Sequence, residues 1–322
     1  MLSVALYLVT GGAGFIGSHL VHALVARGDR VRVLDDLSGG DLARLEPLEL
    51  GDVGSGAPLE LLRGDVSRPE DALTACAGVR GVFHEAALVS VPRSVAEPEL
   101  SFRVNVQGTF EMLRAATAAG VESFVLASSS AVYGMDERVP KVETMPPAPV
   151  SPYAGDKLAG ETMLRVWGSS YGLRTVALRY FNVYGPGQSD DSPYSGVIAL
   201  FARRMLAGEC VTIHGDGEQT RDFVYVGDVV RANLLAADAG DLEPGAVFNV
   251  GTGEAVSVRK LFREIREAAG GGPDATHGPA RAGDVKHSRA DGGAIRQRLG
   301  FEPRVPRPEG LRRTLDWYRS RR

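Results

Sequence analysis

The sequence predicts an α/β protein: a doubly wound parallel sheet with a smaller, interwoven α/β lobe. Three observations carry that expectation. Short β-branched runs alternate with longer amphipathic stretches, as repeated βαβ units require. Glycines 11, 14 and 17 stand directly between the first such run and the first amphipathic stretch. After Tyr184 the alternation gives way to turn-rich segments, which marks a second lobe.

Taken in order, LYLVT reads as the first strand. Gly11 to Gly17 then turn the chain into a helix over Phe15 to Arg27, where Ile16, Leu20, Ala23 and Leu24 keep helical spacing until Gly28. RVRVLDD is strand two. LELLRGDV, VRGVFHEAA, SFVLASSS and RTVALRY continue the series, separated by helices near Arg68 to Ala77, Pro98 to Ala119 and Tyr153 to Tyr171. Residues 39–56 lack a period and read as a loop with one short helix. Beyond Tyr184 come the turns of GPGQSDDSPYS, a helix ending at Gly208, the strand VTIHG and the polar loop GDGEQTRD. The helix after Asp228 and the strand VFNVG return to the sheet, and helices near Ser257 to Ala269 and Pro308 to Arg319 finish the lobe. The expected division is 1–183, with a return segment at about 223–250, for the larger domain, and 184–222 with 251–322 for the lobe.

Composition narrows the class. The 322 residues are 44% hydrophobic and 24% charged, enough for a sizeable core, and the formal charge of −4 gives no reason to expect nucleic acid or an anionic membrane as partner. Arg319, Arg321 and Arg322 form a short basic run of the kind usually solvated. Cys76 and Cys210 lie far apart, outside any metal-ligand or disulfide pattern, so no metal is expected and a reducing cytoplasm fits. No apolar run reaches membrane-spanning length, and the N-terminus shows no cleavage pattern for secretion.

Several residues suggest chemistry by position. Gly11, Gly14 and Gly17 form GxxGxxG between strand and helix, where glycine permits a tight turn and close backbone approach to a pyrophosphate. A Rossmann dinucleotide-binding domain is the implied form. A P-loop is excluded, because Ser18 and His19 follow Gly17. Asp35, 18 residues after Gly17, ends strand two, where a carboxylate accepts from both ribose hydroxyls and repels a 2′-phosphate. NAD is therefore expected over NADP. Asp36 beside it, and Asp65 in RGDV as an adenine-side contact, are further candidates, each also readable as a loop acid. Ser128, Ser129 and Ser130 end another strand and could hold a substrate oxygen. In SPYAGDKLAGE, Tyr153 and Lys157 are four residues apart, on one helical face. Lowering a phenol to neutrality requires about 3 pH units, roughly 4 kcal/mol, which one lysine hardly supplies. His19, His22 and His84 read as structural, whereas His214 and His287 could lie near nucleotide or sugar.

TGGAGFIG, the SSSAVYG strand end, SPYAGDK and LRYFNVYGPG together resemble the extended short-chain dehydrogenase/reductase family, in its NAD-dependent epimerase/dehydratase branch, closest to the UDP-glucose 4-epimerases. The resemblance implies that Tyr153 is the acid/base, that Lys157 holds the nicotinamide ribose and lowers the Tyr153 pKa, and that Ser129, with Ser130 beside it, is the hydroxyl partner. The oxidised nicotinamide then contributes the missing positive charge. It further implies cofactor contacts from Phe15, Ile16, Val66, Ala86, Ala87, Asn105, Ser128 and Tyr180. For the nucleotide sugar it implies Ser90, Phe181, Asn182, Val197 in the SPYSGVI loop, Ile213, Arg221, and Arg281 with Asp284 in RAGD.

Within that family the strand end separates reactions. Dehydratases carry Thr-Asp-Glu there, and decarboxylating relatives also place an acid, whereas this chain has Ser129, Ser130 and Ala131. Without a carboxylate for elimination, oxidation and re-reduction at one carbon remains. The resemblance thus implies a UDP-hexose 4-epimerase interconverting UDP-glucose and UDP-galactose. Ser288 stands where a bulky Tyr excludes 2-acetamido sugars in these epimerases, so UDP-N-acetylglucosamine is permitted. Ser189 stands where several uronate epimerases have Arg, which disfavours UDP-glucuronate without excluding it. A 4-keto nucleotide-sugar reductase is the other enzymatic alternative, and a non-catalytic dinucleotide sensor typically lacks the Tyr and Lys pair. A homodimer is implied, joined as a four-helix bundle by the helices near Pro98 to Ala119 and Tyr153 to Tyr171.

Overall fold

A computed structural model describes residues 4–189, 196–280 and 285–321. Its strands are β1 (Leu6–Thr10), β2 (Arg30–Asp35), β3 (Leu50–Gly51), β4 (Leu59–Arg63), β5 (Gly81–His84), β6 (Ser123–Ser129), β7 (Arg174–Tyr180), β8 (Asn182–Tyr184), β9 (Thr212–His214), β10 (Thr220–Tyr225), β11 (Ala246–Val250), β12 (Ala255–Ser257) and β13 (Thr276–Gly278). The helices are α1 (Phe15–Ala26), α2 (Pro69–Cys76), α3 (Val91–Ala96), α4 (Pro98–Ser101), α5 (Gly108–Ala118), α6 (Pro152–Tyr171), α7 (Val197–Leu206), α8 (Val226–Asp238), α9 (Val258–Ala269), α10 (Gly293–Leu299) and α11 (Arg307–Ser320).

Eight strands form the main sheet in the order β11-β7-β6-β5-β1-β2-β4-β3. The pairs β1–β2, β1–β5, β5–β6, β2–β4 and β3–β4 are parallel. Strand order reverses between β1 and β5, and in open α/β sheets the crevice beyond the carboxyl ends at such a reversal binds ligands. This is the expected doubly wound architecture.

By internal packing the chain divides into two compact units. The first comprises Met1–Val132, Pro149–Arg179 and Val230–Phe248; the second comprises Tyr133–Ala148, Tyr180–Val229 and Asn249–Arg322. The first is held by an apolar cluster that includes Leu8, Leu34, Val82, Met112, Phe124, Leu126 and Leu164, all at most 2% exposed. Each such large side chain contributes about 1.5–3 kcal/mol on burial. In the second, Phe201 of α7 meets Phe262 of α9 edge to face at 6.0 Å, and Tyr184 does the same with Tyr225 at 5.8 Å.

Helix ends follow local chemistry. Ser151 caps α6 by accepting from the Ala154 N–H, Pro152 occupies its first turn, and Gly172 closes it in the left-handed conformation at φ 72°. Ser257 and Gly270 do the same for α9. In contrast, α1 starts at Gly14 with no side-chain cap and no acid in its first turn. Its first N–H groups therefore face outward as an anion-binding end.

Four features depart from the sequence reading. The expected helix over Pro98 to Ala119 is interrupted by a wide π-helical turn at Phe102–Gln107. GDGEQTRD is not all loop: Thr220 to Asp222 already belong to β10, whose central residues are fully buried. The unperiodic residues 39–56 hold the expected short helix, at Leu42–Leu45, and also the edge strand β3. Residues 133–148 pack with the second unit, although their position in the chain suggested the first. Among the described residues no helix is long and apolar enough to cross a membrane.

Candidate active site

The carboxyl ends of β1, β2, β5 and β6 carry most of the expected first-unit residues. Gly11 sits at φ 66°, and a Cβ there would come within 2.8 Å of the Ala86 nitrogen beyond β5. A Cβ on Gly17 would collide with the Gly11 carbonyl oxygen. The Gly14 N–H donates to that same carbonyl at 2.9 Å. Only glycine fits this turn, and the cradle it leaves before α1 is the shape a dinucleotide pyrophosphate requires. Phe15 and Ile16 form the first turn of α1 and are half-buried.

Asp35 is 7% exposed at the end of β2; its carboxylate accepts from the Ala13 N–H at 2.9 Å and the Leu37 N–H at 2.8 Å. Burial raises its pKa, and those two backbone donors oppose the rise. Asp36 is placed differently: exposed, it accepts from the Ser38 N–H and hydroxyl, a local turn. Asp65 likewise accepts from the Ser67 N–H and hydroxyl at 2.8 and 2.7 Å, and Val66 is buried in the core. Ala86 and Ala87 are half-buried just past β5, with the Ala86 N–H donating to the Thr10 hydroxyl.

His84 is buried between two hydroxyls. Its ring nitrogens lie 2.8 Å from the Thr10 hydroxyl and 3.2 Å from that of Thr109, and burial, with Lys157 nearby, lowers its pKa to about 3. Asn105 lies in the π-helical turn, buried, its side chain bracketing the Leu88 backbone: Oδ1 accepts the N–H at 2.8 Å and Nδ2 donates to the carbonyl at 3.2 Å. It fixes the loop after β5. Ser90 on that loop caps α3 by accepting from Arg93 N–H.

At the end of β6 the three serines diverge. The Ser129 hydroxyl lies beside the Tyr153 phenol and accepts from the Ala131 N–H at 3.1 Å. Ser130 begins the turn after β6 and is half-buried. Ser128, expected near the cofactor, instead points its hydroxyl to Glu161 at 2.6 Å, because neighbouring strand residues face opposite sides of the sheet.

Tyr153 and Lys157 project from α6 as their spacing requires. The Lys157 Nζ donates to the Ala127 carbonyl at 2.8 Å and lies 5.8 Å from the Tyr153 ring centroid. Burial lowers the Lys157 pKa to about 8, opposed by Glu85 and Asp156. The phenol goes the other way: burial raises its pKa, the neighbouring Ser129 hydroxyl lowers it, and Glu85 raises it again. The protein's own groups therefore widen the gap that the sequence argument identified, and a cation supplied by the cofactor has to close it. Glu85 was not anticipated; lying next to His84 in the chain, it carried no motif signal.

The second unit is described by itself. Tyr180 and Phe181 are buried at the end of β7 and just after it, and the Phe181 N–H donates to the Val250 carbonyl. Asn182 is exposed at the start of β8, Val197 is half-buried at the start of α7, and Ile213 is buried in β9. Arg221 on β10 donates to the Thr220 carbonyl at 2.9 Å. Ser288 lies beside it, its N–H donating to that same Thr220 carbonyl at 3.1 Å. His287 meets the Thr220 hydroxyl at 3.0 Å, and His214 the Pro279 carbonyl at 3.2 Å. Arg281, Asp284 and most of SPYSGVI fall outside the described residues.

Sequence reasoning missed the anchor of this region, Asp222. Fully buried, it accepts from the Thr252 N–H and hydroxyl, the Gly253 N–H and the Ala290 N–H, at 2.6–3.0 Å. Its signal was the RDF that begins at Arg221, hidden inside an apparently polar loop.

Comparison with known proteins agrees with this geometry. A UDP-glucose 4-epimerase of Mycolicibacterium smegmatis is 41% identical over 98% of both chains. A solved UDP-N-acetylglucosamine 4-epimerase of Methanobrevibacter ruminantium, in complex with UDP-N-acetylmuramic acid, superimposes with a TM-score of 0.93 at 37% identity over 100% of both chains. The Thermus thermophilus UDP-glucose 4-epimerase, solved with NAD, gives 0.86 at 41% identity over 98% of this chain and 99% of its own. With residues 7–251 matching the model of the NAD dependent epimerase/dehydratase family, and with the glycine cradle, Asp35 and the Tyr153–Lys157 pair all in place, the chain belongs to that family.

Proposed function

We propose that the chain is an NAD-dependent UDP-hexose 4-epimerase. The observation that carries this is Tyr153 beside Ser129 at a strand end that continues into Ser130 and Ala131, with no carboxylate for elimination. Bound NAD supplies the hydride acceptor and donor at the sugar C4, and its positive charge favours phenolate. Tyr153 takes the proton of the 4-hydroxyl and later returns it. Ser129 hydrogen-bonds the same oxygen, and Lys157, held by the Ala127 carbonyl, presents its charge beside the phenol. Gly11, Gly14, Gly17 and Asp35 of the first unit hold the cofactor. In the second unit Arg221 holds the diphosphate, since a guanidinium donates in pairs to phosphate oxygens. A fixed diphosphate lets the 4-keto sugar turn and present its other face.

Ser288 supports extension to 2-acetamido sugars: a small side chain beside Arg221 leaves room, and the Methanobrevibacter relative is a UDP-N-acetylglucosamine epimerase. A homodimer is supported by the aromatic series Phe110, Trp167 and Tyr171 on α5 and α6, where Phe110 and Tyr171 are 40% and 60% exposed. A reducing cytoplasm accords with Cys76 and Cys210 being free thiols.

The test is to incubate the purified protein with a panel of UDP-sugars, without added cofactor, and follow C4 epimers by NMR. Interconversion of UDP-glucose and UDP-galactose is expected, and Tyr153→Phe should lose about 10³-fold in kcat while keeping its NAD. Failure on every sugar would sink the reading in favour of a reductase.

A further inference from the structure

The step from Tyr153 to Lys157 continues one more turn along α6 to Glu161, a buried charge outside the chemistry described so far. Its Oε1 accepts the Ser128 hydroxyl at 2.6 Å and the Arg179 Nε at 2.9 Å, and its Oε2 accepts the Arg179 Nη2 at 2.7 Å. Both charged groups are no more than 5% exposed. Arg179 belongs to β7 and Ser128 to β6, so one carboxylate ties a single helix to two neighbouring strands. The helix lies close: a Cβ on Gly160 would come within 2.9 Å of Leu126 Cδ2 on β6.

Such a pair is a poor source of stability, because removing two charges from water costs about as much as their attraction gives back. Geometry suggests what else it does. Tyr153 meets Ser129, Lys157 meets the carbonyl of Ala127, and Glu161 meets Ser128 between them. Sliding the helix by one residue's rise, about 1.5 Å, carries the phenol that far from its place beside Ser129. We propose that Glu161, held by Arg179, is a positioning residue that sets the register of α6 against β6 through the Ser128 hydroxyl, and with it the approach of Tyr153 to Ser129.

The inference rests on the epimerase reading, and its test keeps the two apart. Glu161→Gln alone would leave Arg179 buried without its full countercharge, so the informative variant is Glu161→Leu with Arg179→Met, which removes both charges at similar volume. It is expected to fold and retain NAD, with kcat for UDP-glucose down about 30- to 100-fold and KM within about twofold. Ser128→Ala, which keeps the ion pair, should fall in the same direction by a smaller factor, and decides the matter should the double variant not fold. Independently of turnover, the ionisation of Tyr153 is read as tyrosinate absorbance, by difference from the same protein carrying Tyr153→Phe. Its midpoint should rise by about half a pH unit or more as the Ser129 hydroxyl moves away from the phenol. Unchanged kcat and an unchanged midpoint overturn the positioning role. A wild type inactive on every sugar defeats the epimerase reading instead, and the Tyr153 midpoint still decides the role of Glu161.

Discussion

The two units solve the problem of holding functional groups in different ways. In the first, the groups next to Tyr153 are charged side chains taken out of water: Lys157 on a backbone carbonyl, and Glu161 against Arg179. In the second, the corresponding anchor is one carboxylate, Asp222, that fastens backbone, and the side chains presented beside it, Arg221 and Ser288, remain half-buried. Chemistry at a phenol needs fixed charge in a low-dielectric setting, where each charge acts strongly. Recognition of a nucleotide sugar needs a firm frame carrying side chains that can differ.

That contrast is open to attack. Lys157→Met should reduce kcat by about 10²-fold, the largest effect after Tyr153→Phe, as measured by NMR turnover. The same lysine leaves a mark on stability. Its pKa falls from 10.5 unfolded to about 8 folded, so between those values the unfolded state binds more protons. Stability of protein stripped of nucleotide should therefore rise with pH from about 8 to 10.5, relative to Lys157→Met, by up to roughly 3 kcal/mol in urea titrations. A flat difference would show that Lys157 is not desolvated.

Asp222→Asn attacks the other frame. An amide cannot accept from four donors, so unfolding free energy should drop by about 2–3 kcal/mol, with the KM for UDP-glucose raised more than kcat is lowered. A variant hurt in kcat alone would place Asp222 with the chemistry and erase the contrast. The smallest expected change is Ser288→Tyr: UDP-N-acetylglucosamine turnover should fall at least about tenfold while UDP-glucose turnover stays within about threefold. Equal losses on both sugars would mean that Ser288 is part of the frame.

Legibility in the sequence follows the same division. Gly11, Gly17 and Asp35 were readable because a turn and a strand end are local, and Tyr153 with Lys157 because helical spacing is local too. Glu161 stood on the same helical face, yet its partners Ser128 and Arg179 come from strands far along the chain, and periodicity says which residues share a face, never which strand they meet. Asp36 is ambiguous for a related reason: an acid next to Asp35 has the same signature whether it turns a loop or meets a ribose. β10 was hidden because it opens on three polar residues, Thr220, Arg221 and Asp222, and the burial of Asp222 depends on hydrogen bonds from distant segments.

The order of segments along the chain also governs how this protein is made. β7 has β6 on one side and β11 on the other, and residues 181–229, which belong to the second unit, are synthesised between β7 and β11. A ribosome-bound chain that has completed α6 and β7 therefore carries an open sheet edge with six of its seven residues destined for the interior. That edge closes only when Ala246–Val250 emerges, so the nascent first unit is most prone to aggregate while residues 181–245 are being synthesised.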